Sequence, residues 1–158
     1  MNTHFDSKDF RGALGMFSTG VTVITTSDGY AVKGMTANAF TSVSLEPPLV
    51  LVCVGKKAQT HAYLEKNKTF GINILRESQQ ELSGHFAGKC KDSVEEQIQY
   101  DYHEDIPIIR ECLASLACTL WRTYDGGDHT LFVGEVKAIQ MDDGDPLLFY
   151  KGAYKKII

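Results

Sequence analysis

The side chains best equipped for chemistry in this 158-residue chain sit in a few short stretches. The first is MTANAFTSVS, Met35 to Ser44, which sets small or amide-bearing residues directly before the apolar run PPLVLVCV. Small side chains let a flat ligand lie against the backbone, while hydroxyls, the Asn38 amide and free N–H groups can face its polar edge or a phosphate. The same composition also suits a polar loop whose Ser and Thr turns cap strand ends. Lys56-Lys57, just past the apolar run, fits a phosphate or, as charge pairs at strand ends commonly do, a solvated surface. Phe86-Ala87-Gly88 can stack on a ring system or form a core aromatic followed by a glycine cap. His129, after Asp125-Gly126-Gly127-Asp128, can donate to a carboxamide or carry a proton near neutral pH, or simply end a hairpin. Tyr150, Gly152 and Tyr154 offer aromatic surface around a flexible glycine, or a docking terminal strand.

Several common signatures are absent. GALG at Gly12 to Gly15 lacks the GxGxxG spacing and lies inside a helix pattern. GHFAGKC, Gly84 to Cys90, has too few residues between its glycines for a Walker A loop, and Cys where Ser or Thr would ligate magnesium. No GxSxG elbow occurs. The cysteines Cys53, Cys90, Cys112 and Cys118 form no CxxC pair and no zinc spacing with histidine, so no metal site is expected.

The elements that must position these residues read as mainly β. Ser7 to Phe17 has Phe10, Ala13, Leu14 and Phe17 at helical spacing. VTVITTS after Gly20 predicts a strand ending at Ser27-Asp28-Gly29, with Tyr30 to Met35 returning. Pro47-Pro48 favours an extended entry into LVLVCV, whose unbroken apolar run predicts a strand covered on both faces. Thr60 to Lys66 reads as a short helix and Thr69 to Leu75 as a strand. Ser78-Gln79-Gln80-Glu81 has the capping-box pattern for a helix with Leu82 and Phe86 on its apolar stripe. Residues 88–113 show little period and predict loop with at most a short helix or strand. Ala114 to Tyr124 and Thr130 to Met141 are long β runs joined by the Asp125–Asp128 turn, and Asp145-Pro146 leads into LLFY. Roughly seven strands joined mainly by hairpins predict a small antiparallel barrel, which removes exposed sheet edges.

Length and composition fit one domain over residues 1–158, with 43% hydrophobic and 23% charged residues. A net charge of −4 gives a nucleic-acid backbone or an anionic membrane little to hold. MNTHFDSKDF carries charges where a signal peptide needs an apolar core, and the longest apolar run, Leu49 to Val54, is too short to span a bilayer. A cytoplasmic protein with reduced thiols is expected.

Taken in order, FSTGVTVIT (17–25), GMTANAFTSVSLEPPLVLVCVG (34–55), FGINIL (70–75), HFAG (85–88), GDHTLFVGEV (127–136) and PLLFYKGAY (146–154) resemble the flavin reductase family. They are most similar to the small reductase component of two-component flavin-dependent monooxygenases. The resemblance runs from about Phe10 to Tyr154, and GMTANAF…SVSL…PP with a distant GDH is its most specific part. It implies an antiparallel split β-barrel with short flanking helices, a homodimer with flavin near the subunit interface, and a separate oxygenase as partner. The implied activity is NAD(P)H:flavin oxidoreduction, with hydride passing from nicotinamide to flavin N5. FAD or FMN would be the flavin, and NADH the donor, with NADPH possible. No arginine cluster near the implied site suits a 2′-phosphate, which favours NADH. Carried over by position, Thr36, Ala37, Asn38, Ser42, Val43 and Ser44 match the flavin-contacting segment. Cys53, Val54 and Lys56 match the strand end bordering the flavin and its phosphate, and Phe86 and Ala87 match a further flavin contact. His129 matches the histidine associated with nicotinamide, and Tyr150, Gly152 and Tyr154 a segment near the dinucleotide. Residues 88–113 and Trp121 to Gly126 carry no matching pattern. A flavin carrier or sensor without NAD(P)H turnover is the alternative on the same fold.

Overall fold

Asp6 caps the first helix, α1 (Ser7–Leu14), by accepting the Lys8 and Asp9 N–H groups, and the Asp9 carboxylate accepts the Asp6 N–H in return. This reciprocal box satisfies donors that a helix start leaves open. The computed structural model describes residues 3–89 and 92–157. After α1 come β1 (Thr19–Gly20), β2 (Thr22–Ser27) and β3 (Val32–Ala37). Asp28 turns the β2–β3 hairpin by accepting the N–H groups of Ala31 and Tyr30, bonds that hold its carboxyl down to about 2. Then follow β4 (Phe40–Leu45), β5 (Pro48–Gly55), α2 (Gln59–Asn67) and β6 (Thr69–Ile74). A 3-10 turn at Glu77–Gln79 leads into α3 (Gln80–Phe86), then α4 (Asp92–Glu95), β7 (Tyr100–His103) and β8 (Ile106–Ile109). The long hairpin β9 (Ala114–Gly126) and β10 (His129–Met141) precedes the short β11 (Leu148–Tyr150) and β12 (Ala153–Lys155).

The main sheet has the order β3-β2-β6-β9-β10-β5-β4, antiparallel throughout. Its two edge strands, β3 and β4, are neighbours in sequence, separated only by Asn38 and Ala39. Laid flat, seven strands would hold those edges roughly 29 Å apart at about 4.8 Å per strand. A two-residue link spans at most about 11 Å. The sheet must therefore curl until its edges meet, and because no ladder joins β3 to β4, the barrel stays split along that seam. Ile24, Val52, Val54, Phe70, Ile72, Cys118 and Phe132 fill the interior. Gly134 keeps room for Phe70, since a Cβ there would lie 2.6 Å from its ring. No helix among the described residues is long and apolar enough to cross a membrane.

Four expectations change. The first helix stops at Leu14, and none of its residues is buried. The β5 strand is covered on one face only: Val50, Val52 and Val54 are buried, while Leu49, Leu51 and Cys53 are half-buried on the outer face. The capping bond forms two residues earlier than the Ser78–Glu81 pattern, with the Gln79 side chain accepting the Arg76 N–H, and Ser78 is not the cap of α3. The stretch 88–113 holds α4 and a two-stranded hairpin, and β8 is wholly buried. Its IPII run lacks any alternation because both of its sides are covered. Gly71 admits it: a Cβ there would run into Thr25 and the Pro107 carbonyl.

Asn73 ties this hairpin to the barrel. Its Nδ2 donates to Val23 O and Thr25 Oγ1, both at 3.0 Å, and its Oδ1 accepts from Ile109 N at 2.8 Å and Ser115 Oγ at 3.1 Å. Thr25 Oγ1 in turn donates to Pro107 O at 2.5 Å. The amide's full bonding capacity is used in a site with no solvent access. Asn73→Ala strips partners from a buried N–H and C=O and is expected to cost about 3 kcal/mol in urea unfolding. A loss below about 1 kcal/mol would show that the network does not hold the hairpin in place.

Candidate functional site

Strand register decides which side chains meet on the barrel's outer surface. Residues directly opposed across an antiparallel pair share a face, and alternate residues along a strand return to it. On β5, Leu51 and Cys53 point outward, opposite Val133 and Leu131 of β10, and Gly55 continues that face opposite His129. On the other side, Thr41 of β4 lies opposite Leu51. The ladder β4-β5-β10 thus presents Thr41, Leu51, Cys53 and His129 on one surface. His129 sits diagonally from Cys53, a spacing of about 7–8 Å between such positions.

A cleft of about 590 Å³ opens over this surface. Its floor is Leu51, Cys53 and Thr41, with Asn38, Ala39 and Phe40 at the seam where the edge strands meet. The facing wall is α1 and the turn after it, through Arg11, Leu14, Phe17 and Thr19, with Phe149 and Gly152 of the C-terminal strands. Backbone bonds brace both sides. Cys53 N–H donates to Ala39 O at 3.0 Å, and Lys151 N–H donates to Gly15 O at 2.9 Å. Asn38 Nδ2 donates to Thr19 Oγ1 at 3.3 Å across the gap. Burial raises the Cys53 thiol above its ordinary value, as suits a side chain half inside an apolar recess.

The residues expected from the sequence fall into distinct groups. Asn38, Cys53 and Gly152 line the cleft. Thr36, Phe86, Ala87 and Tyr154 gather on the α3 shoulder beside it: Thr36 Oγ1 donates to Ser83 O at 2.6 Å, and Ser83 Oγ meets Tyr154 OH at 2.7 Å. Phe86 lies over Gly34, where a Cβ would come within 2.8 Å of the ring. Tyr154 packs edge-on against Phe149, at 5.7 Å between ring centres, and so joins the shoulder to the cleft wall. The side chains of Ala37 and Val54 are buried in the core, leaving only their backbone to face outward. Ser42, Val43 and Ser44 lie on β4 at a bulge beyond the cleft, and Tyr150 lies by Met16, its OH 4.0 Å from the Met16 sulfur.

His129 and Lys56 stand at the far end of the same face. His129 Nδ1 lies 2.7 Å from Asp128 Oδ1, and that bond holds the Asp128 carboxyl below its usual range. An ionised carboxylate only accepts, so Nδ1 carries the proton and Nε2 is turned to the Gly55 side, where a Cβ would be 3.8 Å away. The Lys56 ammonium pairs with Asp125, which lowers the Asp125 carboxyl as well. Lys56 N–H donates to Asp128 O at 3.0 Å, so the end of β5 is fastened to the turn that carries His129.

Arg11, Phe17, Thr19 and Phe149 were not expected at a site. One signal was present: an amphipathic stripe on the first helix whose apolar side had no partner assigned to it. A second cavity, about 290 Å³ between α3, α4 and β8, has largely polar and charged walls including Gln79, Glu81, Gln97, Arg110 and Glu111. None of the expected site residues lines it. Cys112 and Cys118 are buried, with their thiols pushed up to about 11 and about 12 by desolvation, and Cys90 lies outside the described residues.

A site that accepts a flat heteroaromatic should be roomy, apolar on its faces and sparing in polar groups. The cleft meets that description, with Arg11, Thr19, Asn38 and Thr41 as its polar members. Comparison with known proteins points the same way. Residues 14–157 match the family described as flavin reductase like domain. The chain is 43% identical over 150 residues to an NADH-dependent flavin reductase from Rhodococcus sp, covering 93% of this chain and 84% of the relative. It is 37% identical over 150 residues to the reductase component of 4-hydroxyphenylacetate 3-monooxygenase from Thermus thermophilus, covering 94% and 95%. The solved structure of flavin reductase PheA2 in its native state superposes with a TM-score of 0.93 at 45% identity, over 98% of this chain and 99% of that one.

Proposed function

The chain belongs to the flavin reductase like domain family, and from that premise we propose that it is an NAD(P)H:flavin oxidoreductase that supplies reduced flavin to a separate monooxygenase. The observation that carries this reading is the shared outer face, which sets an apolar shelf at Leu51 and Cys53 diagonally beside an oriented histidine. When bound, the flavin supplies the redox chemistry, taking up the electron pair that the nicotinamide gives up. The protein's own task is positioning. Thr41, Ala39 and Cys53 keep the floor low enough for a flat ring, Phe17 and Phe149 exclude water from its sides, and Asn38 offers both amide donors and an acceptor to its polar edge.

His129 is assigned to the nicotinamide. With Nδ1 committed to Asp128, Nε2 is the atom that can bond a carboxamide, and Gly55 leaves the space beside it clear. NADH is the expected donor. The flavin is FMN or FAD.

A second copy of the chain is part of the reading. The outer edge of β9 is last held on the β6 side where Leu120 N–H donates to Lys68 O, leaving Trp121 to Gly126 as an open row of backbone groups among the described residues. Large apolar side chains stand exposed around the cleft and the sheet ends, with Phe17 at 78%, Leu45 at 95% and Met141 at 74%. An open strand edge and exposed large apolar side chains of this kind are what subunit contacts cover. Sedimentation at micromolar concentration is expected to give one species of twice the monomer mass, and a monomer would contradict the dimer.

The activity is tested by following NADH oxidation at 340 nm with and without added FMN or FAD. Flavin-dependent turnover is expected. His129→Ala should lower kcat/KM for NADH by about a hundredfold, within the range for a positioned polar group, while flavin affinity changes less than about twofold. Equal loss of flavin affinity and turnover would overturn the role given to His129. Flavin binding without NADH or NADPH consumption would make the protein a flavin carrier instead.

A further inference from the structure

The barrel end nearest His129 holds a polar pair where apolar contacts would fill the space. Thr130, the residue after His129, lies opposite Val54 on the face that turns into the barrel, and it is buried. His61, in the first turn of α2, is buried there too, with its Nε2 2.8 Å from Thr130 Oγ1. The surroundings are apolar: Val54, Leu64 and Phe132 belong to the interior cluster, and the His61 ring packs edge-on against Phe132. Glu65, one turn further along α2, lies 3.7 Å from His61 Nδ1, which places the proton on Nδ1 and leaves Nε2 to accept the Thr130 O–H.

Leucine and valine at these two positions would bury comparable surface without desolvating an imidazole and a hydroxyl. What apolar packing lacks is direction. The hydrogen bond fixes both distance and angle between α2 and the start of β10. The same helix is tied to β5 on the other side, because Ala58 N–H donates to Gly55 O and His61 N–H donates to Ala58 O, both at 3.0 Å. Gly55 is the residue that faces His129 across the ladder and leaves the space beside its Nε2 clear. His61 therefore bridges the two strands at the rung where the nicotinamide contact is assigned.

We infer that His61 is a positioning residue for the reaction with NADH, holding His129 in place through the Thr130 hydroxyl, an inference that rests on the nicotinamide role given to His129. Its ring lies on the interior side of the sheet, so it acts through β10 rather than on either cofactor. A histidine that only filled the barrel end would affect stability alone. A bond from His129 to the carboxamide exists both before and during hydride transfer, so misplacing it falls on KM for NADH more than on kcat.

Steady-state kinetics, urea unfolding and histidine NMR of substituted proteins separate the two roles. Thr130→Val removes the hydroxyl and keeps the shape. It is expected to raise KM for NADH by about tenfold, the scale of a misplaced contact, with kcat and flavin Kd within about twofold of wild type. His61→Gln sets an acceptor oxygen where Nε2 stood and should hold KM within about threefold. The double variant His61→Leu/Thr130→Val removes both polar partners, so its urea midpoint should return close to wild type while its KM for NADH stays raised. The ring-nitrogen shifts of His129 at alkaline pH give a readout without turnover: Nδ1–H in wild type, moving toward Nε2–H in Thr130→Val as the bond to Asp128 loosens. A KM that recovers with the urea midpoint in the double variant overturns the positioning role. So does an unchanged KM in Thr130→Val where His129→Ala raises it, or a raised KM with an unmoved His129 tautomer. If the tautomer moves but His129→Ala leaves KM for NADH unchanged, the nicotinamide reading of His129 has failed, and the role of His61 in the reaction falls with it.

Discussion

Everything at the site follows from a two-residue link. Asn38 and Ala39 join the first and last strands of a seven-stranded sheet, and a link that short forces the sheet to curl until its edges touch. The curl puts the β4–β5 hairpin against the seam with its outer face turned toward α1 and the C-terminal strands. It also explains the composition of Met35 to Ser44. The stretch is neither a strand nor a loop but the end of one edge strand, the link and the start of the other, so small residues are needed for the edges to approach. The same smallness leaves the recess into which a ring can fit.

Once the barrel is closed, period-two alternation does the rest. Val50, Val52 and Val54 point inward to Phe70 and Phe132, and Leu51 and Cys53 consequently point outward into the cleft. The pairing of Gly55 with His129 places the histidine on that same outer face, and a slip of one residue in the β5–β10 ladder would send it to the other side. Several contacts resist such a slip. Lys56 bonds the hairpin turn through both its N–H and its ammonium, and His61 on α2 reaches Thr130 Oγ1 at 2.8 Å, next to His129. His61 also packs edge-on against Phe132, at 5.2 Å between ring centres. The charged pairs at the turn are exposed and contribute geometry more than stability.

Much of this was legible in the chain. Hairpins with strong turn residues, such as Asp28-Gly29 and the turn before His129, were readable because their chemistry is local. The order of weak motifs identified the family, where each motif alone admitted a plainer explanation. What stayed hidden depended on tertiary context. The unbroken apolar run of β5 reads as covered twice, yet its outer face is left for the cleft, and no pattern in one chain distinguishes a ligand from a covering helix. The buried IPII strand was missed for the opposite reason: its partner is the space over Gly71, which only the folded sheet creates. Ser78 carried a valid capping pattern that lost to the Gln79–Arg76 bond two residues earlier. Arg11 had no signal of its own, since a guanidinium on an exposed helix looks like solvated charge until a wall is seen opposite it.

The central claim is that the recess over β4 and β5 holds the flavin, and Cys53 reports on it directly. Its thiol is half-exposed on the floor of the cleft, while Cys112 and Cys118 are buried and serve as internal controls. The measurement is the rate of iodoacetamide labelling at Cys53, read by peptide mass at mildly alkaline pH, with and without saturating FMN. The account predicts that FMN slows labelling of Cys53 by about tenfold or more, because alkylation requires an accessible thiolate. An unchanged rate with flavin demonstrably bound would place the flavin elsewhere and contradict the account.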